Sequence, residues 1–133
     1  MTRARETEAV PKSEAADYLA KAEEFQRGAG RLLDSGDRNA AGVLAIHAGI
    51  TAADAITIHF LGLRSAGQRH LDVLALLAQT TNPRKAAIQR QLNELLGEKR
   101  SVEYEGRLIS VGDAEKMVLL SSRIVAAAKA TVG

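Results

Sequence analysis

The chain has 133 residues, enough for one domain around a single buried core. Aromatics make up only 3% of it while 46% is hydrophobic, mostly Ala, Leu, Val and Ile, a mixture that favours helix over sheet. A net charge of +2 is too small to imply nucleic acid unless basic residues cluster, and the absence of cysteine excludes disulfides, thiolate metal sites and cysteine nucleophiles.

Residues 1–12, MTRARETEAVPK, mix charges without periodicity and predict a frayed tail ahead of a single helical domain over 13–132. They contain no apolar h-region, so the expectation is a cytoplasmic protein. Ser13 fits an N-cap, with Glu14 and Asp17 in the first turn where the helix dipole favours acids. Tyr18, Ala22, Phe25, Ala29, Leu32 and Leu33 then make one apolar stripe at helical spacing. Gly36 is the expected stop, and so short a link makes the first two helices antiparallel neighbours.

The stretch from Asn39 to Gly62 is apolar on nearly every side, which predicts a buried central helix. Its many alanines and glycines leave a thin surface that neighbouring helices can approach closely. The run is long enough to span a bilayer, but His47, Asp54 and His59 within it and the lack of an aromatic belt favour a core helix with no membrane. A third helix is expected from Ser65, which has capping-box spacing to Gln68, with His70, Leu71, Leu74, Leu77 and Ala78 inside. Asn82-Pro83 opens a fourth, whose stripe of Ile88, Leu92, Leu95 and Leu96 continues to Lys99 and ends at Gly106. Ser110 with Asp113 starts the fifth, turning Ala114, Met117, Val118, Ser121, Ile124, Val125 and Ala128 inward. No strand pattern competes. The expected architecture is all-α, an antiparallel up-and-down bundle of five helices.

Few residues offer chemistry. His47, Thr51 and Asp54 recur at helical spacing and share one face of the central helix, as a polar seam. The seam either fixes helix register or forms one wall of a polar pocket. An aspartate in an alanine-rich helix needs a cationic or donor partner, for which Lys99 and His70 are the candidates. His47 and His59 lie about 120° apart around the helix and cannot share an ion, and His47 and Asp54 stand about 10 Å apart along it. No metal or other cofactor is therefore expected. Arg64, Arg69 and His70 form one basic cluster, and Lys99, Arg100 and Arg107 another; each is either a solvated helix end or part of a groove for phosphate groups. Neither a nucleophile elbow nor a phosphate loop is present.

The segments LAIHAGITAADAITIHFLGLRSAGQRH and LLGEKRSVEYEGRLISVGDAE, in this order and spacing, resemble the HEPN superfamily of small helical bundles. The resemblance spans about residues 13–130 and implies a homodimer, with either metal-independent ribonuclease activity in toxin–antitoxin or defence systems or a non-catalytic version that binds nucleic acid or a cognate protein partner. Ribonuclease members carry an arginine and, a few residues later, a histidine. Here Lys99 and Arg100 stand at the arginine end and Tyr104 at the histidine position. Tyrosine, with an ordinary pKa near ~10, cannot exchange a proton near neutrality as histidine does. The expectation is a non-catalytic binding protein with a polar site of His47, Asp54, His70, Lys99, Arg100 and Tyr104. Two alternatives remain open: a ribonuclease using Arg64 or Arg100 with His70, and an antitoxin-like scaffold without a ligand pocket. Lys99 and Glu103 also have the spacing of an ordinary surface pair.

Overall fold

In the computed structural model, residues 6–66 and 70–133 are described, with the side chains of all of them except His70 and Leu71. Two long helices set the frame. Helix α1 (Ala15–Asp34) runs antiparallel to α2 (Arg38–Leu61), with Gly28 against Leu44 and the Phe25 ring against His47. Gly36, at φ +82°, makes the turn between them. The Gly36 N–H donates to the Leu33 carbonyl and the Asp37 N–H to the Leu32 carbonyl, which satisfies carbonyls that the end of α1 would otherwise leave open.

The central helix is α2, as its composition predicts. By length and hydropathy it could cross a membrane, yet 72% of its most apolar window is buried inside the fold. Its glycines explain how the neighbours come so near. A Cβ on Gly42 would stand 2.8 Å from the Val102 side chain, and one on Gly49 would stand 2.6 Å from that of Leu95. Helix α6 (Val111–Val132) packs along α1 and α2 and buries Ala114, Met117, Ser121, Ile124, Val125 and Ala128. The expected cap is present there, with the Ser110 Oγ accepting the Asp113 N–H at 3.0 Å. Gln26 ties α1 to α6, accepting the Ser121 hydroxyl at 2.5 Å and donating to the Val118 carbonyl at 3.2 Å.

Between α2 and α6 the chain forms α3 (His70–Ala78), α4 (Lys85–Leu96) and the one-turn α5 (Lys99–Glu103). Among the described residues the fold is a mostly helical bundle of five helices of nine residues or more, with α5 as an extra turn and one small two-stranded ribbon. Three expectations need correction. The N-terminal segment is not frayed throughout: β1 (Thr7–Ala9) pairs antiparallel with β2 (Leu63–Ser65), and Val10 is buried against Ala15 and Ile58. Ser65 consequently belongs to a strand and caps no helix, while Gln68 lies outside the described residues. The fourth helix is not continuous to Gly106, because it breaks at Gly97, where the Glu98 N–H shortens its bond to the Leu95 carbonyl. Glycine is a weak helix former, and the break lets Val102 swing onto the bare surface of Gly42.

Candidate functional site

Of the six residues expected to form one polar site, the five whose side chains are described fall in two places. The first is the seam on α2, where burial deepens along one face. His47 is exposed beside the Phe25 ring, 6.0 Å between centroids; Thr51 is half-buried; Asp54 is 7% exposed. The seam closes at Ile58, which Val10 and Ala15 cover. Burial pushes the Asp54 carboxyl up to about 7, against the opposing pull of the Arg64 guanidinium. Among the described residues nothing donates a hydrogen bond to that carboxylate; the contact Asp54 makes is through its backbone carbonyl, which accepts the Thr57 hydroxyl at 3.2 Å.

The second place is the corner made by α5 and the connection to α6. Lys99 pairs with Glu103 at 3.8 Å, the i, i+4 surface contact its spacing allows. Arg100 is exposed, and its carbonyl accepts the N–H groups of Tyr104 and Glu105. Tyr104 is 76% exposed. Val102 docks at Gly42, and Asp54 stands roughly 18 Å further along α2 at the helical rise, so Lys99 does not serve as the partner of Asp54. The charge that acts on Asp54 is Arg64, two residues past the left-handed Gly62 that ends α2. His70 opens α3, but its side chain lies outside the described residues, so its expected role in the site does too.

No known family model matches the chain, and no curated protein matches it.

Two features of the corner escape sequence reasoning. Leu108 is 66% exposed and Val111 51%, so two large apolar side chains join Tyr104 on the surface of this segment. Leu108 also borders a cleft of about 290 Å³ against Leu32 and the α1–α2 turn. The corner is held in shape by Asn39 at the start of α2. Its Nδ2 donates to the Val102 carbonyl at 3.4 Å, and its Oδ1 accepts the Ile109 N–H at 3.0 Å. Ile109 itself is buried, which leaves its neighbour Leu108 pointing out. The alternation of Leu108 and Ile109 between polar flanks was the available signal, but an apolar pair in a connection does not tell which member is inside.

Arg64 matters to the ribonuclease alternative as well. Its Nη2 is held by Glu8 at 2.6 Å across the β1–β2 ribbon, and its Nη1 leans on the Ser65 carbonyl at 3.4 Å. Its Nε is buried and unpartnered. A guanidinium committed in this way to a carboxylate is not presented to a scissile phosphate.

Proposed function

We propose that the chain is a non-catalytic, HEPN-like interaction module that pairs with a second copy through the Tyr104–Val111 corner and binds nucleic acid with the basic residues beside it. The observation that carries this reading is the exposure of Tyr104, Leu108 and Val111 within one turn-and-connection segment. A folded chain rarely holds several large apolar groups in water on an ordered surface unless something covers them. Here the surface is ordered by Asn39 and by the Ser110 cap. Arg100 and Arg107 flank the apolar groups and are exposed, which suits an anionic partner laid across the joined corners. Tyr104 at the position a histidine would need for proton exchange supports binding without cleavage.

Light scattering on the eluting protein tests the pairing. The expected result is twice the 14.2 kDa chain mass for the wild type, and a monomer with unchanged helicity for Leu108→Glu with Val111→Glu. A wild-type monomer at roughly 100 μM, weaker than even loose specific association, would overturn the pairing. Nucleic-acid binding is read by anisotropy of a labelled single-stranded RNA over a salt series. Arg100→Ala and Arg107→Ala should each weaken binding and lower the salt slope by about 1. Absence of binding at low salt removes nucleic acid from the proposal. RNA cleavage in EDTA that disappears in His70→Ala would sink the non-catalytic part.

A further inference from the structure

At the far end of α2 from the corner, three elements meet around a cleft of about 260 Å³. His59 and Phe60 close α2, Asn82, Pro83 and Arg84 lead into α4, and Thr131 stands in the last turn of α6. His59 lies roughly 30 Å along α2 from Asn39 at the helical rise, so the cleft is separate from the Tyr104–Val111 surface.

A buried chain of hydrogen bonds builds the cleft. Asn82 is 3% exposed; its Nδ2 donates to the Thr131 Oγ1 at 3.2 Å and its Oδ1 accepts the Arg84 N–H at 2.9 Å. The Thr131 hydroxyl donates in turn to the Ala127 carbonyl at 2.9 Å. On the other side of the connection between α3 and α4, the Lys85 Nζ donates to the carbonyls of Ala78 and Thr80 at 3.1 and 3.2 Å. The walls are therefore set before any ligand arrives, and a preformed site loses less in ordering when it binds. The Asn82 Nδ2 carries two hydrogens, of which Thr131 takes one; the second has no acceptor among the described residues.

Charge in the cleft is one-sided, since no carboxylate lines it. Arg84 is exposed, and its guanidinium makes no ion pair or hydrogen bond among the described residues. By contrast, Arg64, Lys99, Lys116 and Lys129 are each paired with a glutamate. The His59 ring stands edge-on to Phe60, with centroids 5.1 Å apart at 88°, and its nitrogens have no hydrogen-bond partner among the described residues.

We propose that this cleft binds a phosphate monoester carried on a small apolar body. The Arg84 fork offers two parallel donors to phosphate oxygens, and the His59 N–H and the second Asn82 N–H add donors for a third oxygen. A carboxylate, with two oxygens, is satisfied by the fork alone; the three terminal oxygens of a phosphate use the whole set. Phe60 and Pro83 supply the apolar wall on which the organic body lies. A space of about 260 Å³ is at the small end of ligand sites and suits a compact ligand.

Backbone amide shifts of the full isotope-labelled chain test the site, in titrations with phenyl phosphate, inorganic phosphate and benzoate at neutral pH and about 0.15 M salt. Phenyl phosphate should give saturable shifts at Phe60, Arg84, Lys85 and Thr131 with a Kd on the order of 1 mM, and none at Leu108 or Val111. Inorganic phosphate should move the same amides with about threefold weaker affinity, for want of the apolar contact, and benzoate with about tenfold weaker affinity. Arg84→Ala should weaken phenyl phosphate about tenfold with helicity unchanged, and His59→Ala about threefold. Absence of saturable shifts up to about 20 mM overturns the site. So does an Arg84→Ala titration that matches the wild type, which would put the anion elsewhere. Benzoate binding as tightly as phenyl phosphate overturns the assignment to phosphate, and inorganic phosphate binding as tightly overturns the apolar body.

Discussion

Asp54 is the residue at which chemistry and stability meet. Its carboxyl has an ordinary value of 3.8 and rises to about 7 on burial. The folded chain therefore keeps a proton that the unfolded chain releases between those values. The contribution is fully present below the unfolded value and is lost as pH rises through about 7. A shift of this size corresponds to roughly 4 kcal/mol at most, at about 1.4 kcal/mol per unit. Urea titrations at acidic and alkaline pH should show the wild type losing stability across this window. Asp54→Asn should flatten the profile and be the more stable chain at about pH 8.5. A wild-type profile that stays level would mean that Asp54 is solvated. Asn39 works differently at the same scale, since it satisfies a carbonyl of α5 and an N–H of the 104–110 connection with one side chain. Asn39→Ala leaves both groups without it and should cost about 1–3 kcal/mol by denaturant titration.

Elements in this fold are separated by how little surface α2 carries. Gly49 lies under Leu95, Leu92 and Ile124, so any added atom must move a packed core side chain. Gly49→Val should destabilise by about 1–3 kcal/mol through overpacking. Gly30, on α1, has nothing within 4 Å of where a Cβ would stand. Gly30→Ala should therefore stabilise by about 0.5–1 kcal/mol, the helix-propensity gain alone. Thermal melts of the two variants give opposite signs if α2 is the tightly wrapped helix and α1 the open one. The break between α4 and α5 follows the same logic, because Val102 reaches Gly42 only when the helix stops at Gly97. One continuous helix would have kept Lys99 on the stripe of Leu92 and Leu95; in α5 it pairs instead with Glu103, four residues on.

Across the whole molecule the two candidate places are distinct. The seam lies toward the C-terminal half of α2 under the β ribbon, and the apolar corner lies by the α1–α2 turn. Self-association at the corner and titration of Asp54 under the ribbon are therefore separable. The Leu108→Glu, Val111→Glu chain should be monomeric by light scattering yet keep the pH-dependent stability that Asp54 sets in urea titrations. Loss of both properties together would mean that the ribbon and the corner are coupled through α2.

Much of the architecture was legible in the residues. An alanine-rich run with only a narrow polar seam must be buried, glycines stop α1 and α2, and Ser110 caps α6, because each follows from local geometry or from burial of apolar surface. The polar seam was legible too, as a spacing on one helix. Its partner was not, since which cation faces Asp54 depends on how a strand from the N-terminus and the chain after Gly62 come together. Three residues that pair only with a segment more than fifty positions away carry no strand signal of their own. Tertiary structure alone decided that Leu108 faces water while Ile109 is buried, because Asn39, on another helix, holds the Ile109 backbone. Local sequence sets what each segment can bury; packing between distant segments sets which polar groups are left to act.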